Sequence, residues 1–139
     1  MFHIKSINHV AIVVDDMEKA LSFWRDALGM ELHELRDVSI EKSQVAFLPL
    51  AGSEVELVMP TSDDSGIAKY LAKRGPGMHH ICLEVDDIVG LLAQLRVKGI
   101  RLINEEPRTS ADGKKYAFIH PESTFGVLVE LYQLSPKTT

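Results

Sequence analysis

Only one cysteine, Cys82, stands among the 139 residues, so no internal disulfide can staple the fold, and a reducing compartment suits the chain. In an alternating apolar strand that thiol reads as a small buried hydrophobe. Cations are also in short supply. Fifteen Lys and Arg against twenty Asp and Glu leave a net charge of -5, which argues against a surface built to neutralise nucleic-acid phosphates. The short clusters Lys69/Lys73/Arg74 and Lys114/Lys115 read as solvated charge, the first also as a place where a phosphorylated ligand could sit. No apolar run approaches the roughly 18 residues of a membrane span, and no apolar stretch with a small-residue cleavage site opens the sequence. The expectation is a cytoplasmic protein with neither nucleic acid nor membrane as partner. With 45% hydrophobic and 25% charged residues, residues 1–139 read as one ordinary globular domain.

The sequence contains itself twice. His9-Val-Ala-Ile-Val-Val-Asp-Asp-Met17 realigns without a gap on His80-Ile-Cys-Leu-Glu-Val-Asp-Asp-Ile88, 71 positions later. Phe47 and Phe118 keep the same offset, while Glu56 and Glu130 are three positions further apart, the surplus falling in the loop from Pro121 to Phe125. Two copies of this size make a pseudo-symmetric domain and not a solenoid. Each copy alone is marginal in core size, so a single shared core is expected.

Local patterns give each copy the order βαβββ. A β-branched strand runs from Ile7 to Val14, and Asp15 or Asp16 caps a helix whose apolar stripe is Met17, Ala20, Leu21, Trp24 and Leu28, closed by Gly29. Strands are expected near Met30–Asp37, Gln44–Pro49 and Glu54–Met59. In the second copy a strand at His79–Val85 leads to a helix with Ile88, Leu91, Leu92 and Leu95 on one face, closed by Gly99. Strands follow near Arg101–Asn104, Tyr116–His120 and Gly126–Tyr132, and the tail after Gln133 is expected to fray. Module 1 thus covers about residues 5–60 and module 2 about 78–134, joined by a linking helix within 63–75.

His9 and His80 occupy equivalent places on the first strand of each copy, and Glu56 and Glu130 equivalent places on the last. Charged groups midway along apolar strands are costly to bury unless paired or bound to a metal. A duplicated His/Glu pair is a four-ligand set without thiolate, which suits a divalent Zn, Ni, Co, Fe or Mn ion; ligand type alone does not choose among them. Strand alternation separates the tandem histidines: His79 aligns with Asn8 and faces away from His80, which marks it as structural.

The segments Asn8 to Met17, Ser65 to Arg74, Gly77 to Ile88, Glu105-Glu-Pro107, His120-Pro121 and Gly126 to Leu131 resemble the methylmalonyl-CoA epimerase family of the vicinal oxygen chelate superfamily, over nearly the whole chain. That resemblance implies an α+β fold of two tandem βαβββ modules packed edge to edge into one curved mixed sheet around a metal cleft, commonly in a homodimer. It implies one divalent ion held by His9, Glu56, His80 and Glu130. The implied reaction takes the C2 proton from a methylmalonyl thioester of coenzyme A and returns one to the opposite face through a metal-stabilised enolate. Glu130 is then also a catalytic base.

The second base is open. Some relatives carry a glutamate in the strand before Phe47, where this chain has Val45 or Gln44 according to the gap chosen; Glu41 is the nearest carboxylate, and Glu56 is an alternative. Phe125 stands beside Gly126 where relatives have a smaller residue, which bears on acyl preference. Two other readings use the same fold: a glyoxalase I-type isomerase acting on a thiol hemithioacetal, and a non-catalytic ligand-sequestering module, against which the complete ligand set counts.

Overall fold

A computed structural model describes residues 2–135 of the chain, so the fraying tail, from residue 136 on, lies outside the described residues. The chain divides into two compact units, one of residues 9–79 and the other of residues 1–8 with 80–139. The two cuts fall at equivalent points of the repeat, inside β1 (Ile4–Val13) and β5 (Gly77–Val85). Each of these strands therefore begins in one unit and ends in the other.

In the first unit β1 leads to helix α1 (Met17–Leu21), then β2 (Glu34–Val38), β3 (Ser43–Leu50), β4 (Ser53–Pro60) and helix α2 (Gly66–Arg74). The strand order is β2-β3-β4-β1. β1 runs parallel to β4, pairing Val10–Val13 with Val55–Val58, and the other neighbours are antiparallel. Alternation sends Ile12, Ala46, Leu48, Val55, Leu57 and Met59 to one face, where they pack against Met17, Leu21 and Trp24. Leu48, Leu57 and Leu21 are at most 1% exposed, so truncating any of them to Ala would cost about 2–5 kcal/mol.

Asp16, not Asp15, caps α1, its Oδ1 accepting from the Lys19 amide at 3.1 Å. After Leu21 the helix widens into π geometry over Ser22–Ala27, and the Leu28 amide bonds back to the Phe23 carbonyl, five residues earlier. The wider turn breaks the 3.6-residue rhythm that the apolar stripe assumed. Trp24 still packs against the core, but Leu28 turns out to solvent.

The second unit repeats the plan. β5 leads to α3 (Ile88–Val97), β6 (Arg108–Thr109), β7 (Lys115–Ile119) and β8 (Val129–Gln133), in the order β5-β8-β7-β6 with β5 parallel to β8. Asp87, the repeat mate of Asp16, caps α3 through the Gly90 amide at 3.0 Å. Gly90 is needed there, because a methyl group would collide with the Phe2 ring seated on the helix. His3 and residues 4–8 of β1 join this unit: Asp86 accepts from the His3 amide at 3.0 Å, and Lys5 pairs with Glu84 at 3.4 Å.

The α+β class and the doubled βαβββ order are as expected, with three corrections. The strand near Arg101–Asn104 does not form. Leu102 makes a single bridge to Ile119, after which Asn104 Oδ1 takes the Phe118 amide at 2.8 Å and ends the ladder. The core is not one shared mass either. Val85, Ile88, Leu92, Ala117 and Leu131 form a cluster of their own, separate from that of Leu21, Leu48 and Leu57. α1 and α3 each pack on one face of their own unit's strands, and the opposite face carries the His/Glu residues. The third is the π turn after Leu21. Among the described residues no helix is long and apolar enough to cross a membrane.

The three-residue surplus lies between β7 and β8. Where β3 and β4 join through Ala51-Gly52, this connection holds a 3-10 turn at Pro121–Ser123 and then Phe125, with φ 61° and full solvent exposure. A bulky residue in the left-handed region costs roughly 1–2 kcal/mol. Because the exposed ring has no packing to lose, Phe125→Gly is expected to stabilise the fold by about 1 kcal/mol, read as a higher urea midpoint. An unchanged or lower midpoint would show that the loop does not carry that strain.

Candidate metal centre

Register builds the same local arrangement twice. In the first unit Ala11 of β1 lies opposite Glu56 of β4, and His9, two residues earlier, shares its face. In the second, Cys82 of β5 lies opposite Glu130 of β8, with His80 two residues earlier. Such diagonal neighbours across a ladder are within reach of long side chains. His9 Nδ1 stands 3.2 Å from Glu56 Oε2, and His80 Nε2 stands 3.1 Å from Glu130 Oε1. Ala11 and Cys82 are both fully buried, and the Cys82 thiol is itself placed as a candidate metal donor with His9 and Glu130.

The wall of each pair also repeats. Phe47 lies opposite Glu56 and Phe118 opposite Glu130, and the His80 ring meets Phe118 edge-on at 5.8 Å. His9 is 8% and Glu130 9% exposed. A carboxylate this far from water needs a cation or strong donors beside it. Imidazole nitrogen and carboxylate oxygen, held together on the polar face of each sheet, fit a borderline divalent ion. His79 lies on the other face, where Tyr70 packs edge-on against it at 4.7 Å.

β3 resolves the choice between Val45 and Gln44. Val45 shares the face of Phe47 and is 5% exposed, whereas Gln44 shares the face of the core residues Ala46 and Leu48 and reaches toward Asp37. An alkyl side chain cannot exchange a proton, so that position holds no base. Glu41 is exposed in a 3-10 turn, Ser39–Glu41, before β3 begins and six residues from Phe47, the partner of Glu56.

Two neighbours escaped the sequence reading. Arg36 on β2 places its guanidinium 4.8 Å from the centre of the Phe47 ring and forks onto Glu34 at 2.7 and 2.9 Å. Glu34 raises its pKa most, and the Glu56 carboxylate adds to the effect. Tyr132, two residues beyond Glu130 on the same face, has its phenol pKa pushed up by burial, with the Glu130 charge a smaller contributor. Period-2 alternation would have placed both on these faces, but neither breaks the apolar pattern of a buried strand as His9 and Glu56 do.

Comparison with known proteins was made against this geometry. The Glyoxalase/Bleomycin resistance protein/Dioxygenase superfamily matches residues 8–118. The mitochondrial methylmalonyl-CoA epimerase of Mus musculus is 42% identical over 128 residues, 91% of this chain and 72% of the mouse protein. The chain belongs to the methylmalonyl-CoA epimerase family. Solved structures of the family agree with the fold. A variant of the Streptomyces coelicolor epimerase in complex with 2-nitronate-propionyl-CoA superposes with a TM-score of 0.84 at 31% identity, covering 99% of both chains. A methylmalonyl-CoA epimerase in complex with methylmalonyl-CoA and NH4+ gives 0.83 at 32% identity, covering 96% of each. Relatives in this family thus carry acyl-CoA ligands on the same backbone.

The raised Tyr132 value has a consequence in alkali. Its ordinary pKa is 10.0; between that value and the raised folded one, unfolding releases a proton, so stability falls as pH rises through the window. Tyr132→Phe is expected to remove that part of the loss, measured by denaturant midpoints below and above pH 10.0. Identical pH dependence in both proteins would show that the phenol titrates normally.

Proposed function

We propose that the chain is a methylmalonyl-CoA epimerase that inverts C2 of its substrate, with His9, Glu56, His80 and Glu130 as ligands of one divalent ion. The observation that carries this reading is the doubled His/Glu pair, each member set by the same register against the same phenylalanine, in a chain 42% identical to a known epimerase. A hemithioacetal isomerase would use similar ligands, but the relatives named above act on or hold acyl-CoA thioesters.

Inversion needs a proton removed from one face of C2 and one delivered to the other. In this reading the Glu130 carboxylate accepts the C2 proton, and the C–H electron pair moves into the thioester carbonyl to give an enolate. Glu56, its repeat mate, released from the ion and protonated, would deliver that proton to the opposite face of the plane as the carbonyl re-forms, leaving Glu56 ionised and Glu130 protonated until exchange with water resets both. The pair then exchange roles for the reverse direction, as two related carboxylates can. His80 at 3.1 Å orients the Glu130 carboxylate. A divalent ion would supply Lewis-acid polarisation of the thioester oxygen, a contribution of several kcal/mol.

Deuterium exchange at C2 of a single methylmalonyl-CoA epimer, followed by NMR in D₂O, tests the reading. Fast exchange with loss of stereochemistry, abolished by a chelator and restored by divalent metal, is the expected outcome. No exchange by metal-loaded protein would overturn the assignment. Glu130→Gln should slow exchange by about 10² to 10⁴-fold, the usual contribution of a general base. Glu41→Gln, in the turn before β3, should exchange at the wild-type rate; a loss comparable to that at Glu130 would make it a base.

A further inference from the structure

The register of the outer strands duplicates more than the His/Glu pairs. Arg36 of β2 lies opposite Val45, and Arg108 of β6 lies opposite Tyr116. Val45 and Tyr116 are themselves equivalent, each two residues before the phenylalanine that stands opposite a glutamate. The two arginines are thus structural mates, 72 positions apart and so outside the gap-free realignment of the copies. Strand alternation puts each on the face of the His/Glu pair of its own unit.

They differ in what holds them. Among the described residues neither a ring nor an acid holds Arg108. Arg36 is fixed twice: its guanidinium lies 4.8 Å from the centre of the Phe47 ring, and Nε and Nη2 donate to the Glu34 carboxylate at 2.7 and 2.9 Å. A guanidinium has two edges that each fit a carboxylate. Glu34 occupies the side edge of this one. Among the described residues no acceptor takes Nη1, so the end edge, Nη1 with the second Nη2 hydrogen, stays open on a half-exposed side chain. Phe47, on which the fork rests, is the residue opposite Glu56, and the Glu56 charge reaches the guanidinium after that of Glu34. Lys114 and Arg74 also rest on rings, those of Tyr132 and Tyr70, but neither ring lies opposite Glu56 or Glu130.

A braced arginine with one free edge, held on the wall of a glutamate, is suited to a second carboxylate. Resting on the proposed function, we infer that the open edge of Arg36 binds the free carboxylate of the methylmalonyl group and so selects carboxylated thioesters over plain acyl thioesters. That carboxylate is bonded to C2 itself, so the group that holds it must stand next to the acids that exchange the C2 proton. Phe47 supplies this spacing in the first unit, with Arg36 on its ring and Glu56 across the ladder. The guanidinium also offsets the repulsion that a ligand carboxylate meets beside the Glu56 charge. Glu34 is the positioning residue, since its bonds to Nε and Nη2 aim the free edge.

Calorimetry on the metal-loaded protein with malonyl-CoA and acetyl-CoA, which differ only by the carboxylate, tests this. Wild type should bind malonyl-CoA more tightly than acetyl-CoA. Arg36→Gln should weaken malonyl-CoA about tenfold, the scale of one half-exposed charge-assisted contact. Its affinity for acetyl-CoA and its bound-metal content should stay at wild-type values, which a merely structural role for the side chain would not allow. Arg36→Lys should recover only part of the preference, because an ammonium keeps the charge without the fork. Arg25→Gln, at an arginine paired with Asp26 on another element of the same unit, should bind both ligands as wild type does. In turnover Arg36→Gln should raise the KM for methylmalonyl-CoA more than it lowers kcat. No preference for malonyl-CoA in wild type, an unchanged preference in Arg36→Gln, or equal loss of affinity for both thioesters would overturn the inference. The two readings part cleanly. An Arg36-dependent preference without C2 exchange of methylmalonyl-CoA would leave the carboxylate contact standing and remove the epimerase. C2 exchange by wild type and Arg36→Gln at the same KM would do the reverse.

Discussion

A histidine and a carboxylate can share a poorly hydrated sheet face only if the ladder brings them together, and here two parallel ladders do so. Opposing Ala11 to Glu56 and Cys82 to Glu130 puts each histidine diagonally across from its glutamate. A slip of one residue in either ladder would send the imidazole to the helix-packed face and strand the carboxylate among Phe and Val side chains. The apolar residues that alternate with the ligands, Ile12, Leu57, Leu83 and Leu131, therefore do two things at once. Buried under the helices, they hold the ladders in the only register that satisfies the charges opposite.

That coupling explains what could be read in the amino-acid order. Repeated features with strict spacing were legible: the doubled strands, the Asp caps, the two His/Glu pairs and the surplus in the last loop all follow from identity between copies. Features set by a single contact were not. The widening of the helix after Leu21 leaves no mark on an apolar stripe, and the failed strand at Arg101–Asn104 depends on one side-chain amide, Asn104, capturing the Phe118 N–H. The choice between Val45 and Gln44 needed the alternation of β3 against a known core. Glu41 attracted notice as a carboxylate near in sequence, yet it sits in a turn before β3, six residues from the partner of Glu56. Arg36 and Tyr132 are ordinary letters in half-exposed strands and gain meaning only from what lies beside them.

The two copies are alike where protons would be handled and unlike at the margins. Phe47 and Phe118, Ala11 and Cys82 preserve the shape around each carboxylate, as a reaction that treats two faces of one carbon in turn requires. Asymmetry collects in the connections: a two-residue turn after β3 against a braced loop ending in Phe125 after β7, and a helix, α2, that follows the first copy only. An unsymmetrical ligand has to be held by parts that do not repeat, and the fold supplies them without disturbing those that do.

The division of the chain inside β1 bears on its synthesis. His3 finds its partner Asp86 83 positions later. The partners of residues 3–8 are therefore made only after the whole of the first copy. Such long-range closure slows folding and leaves a β-rich edge open meanwhile. A nascent chain of this protein thus depends on its second copy to protect the beginning of its first.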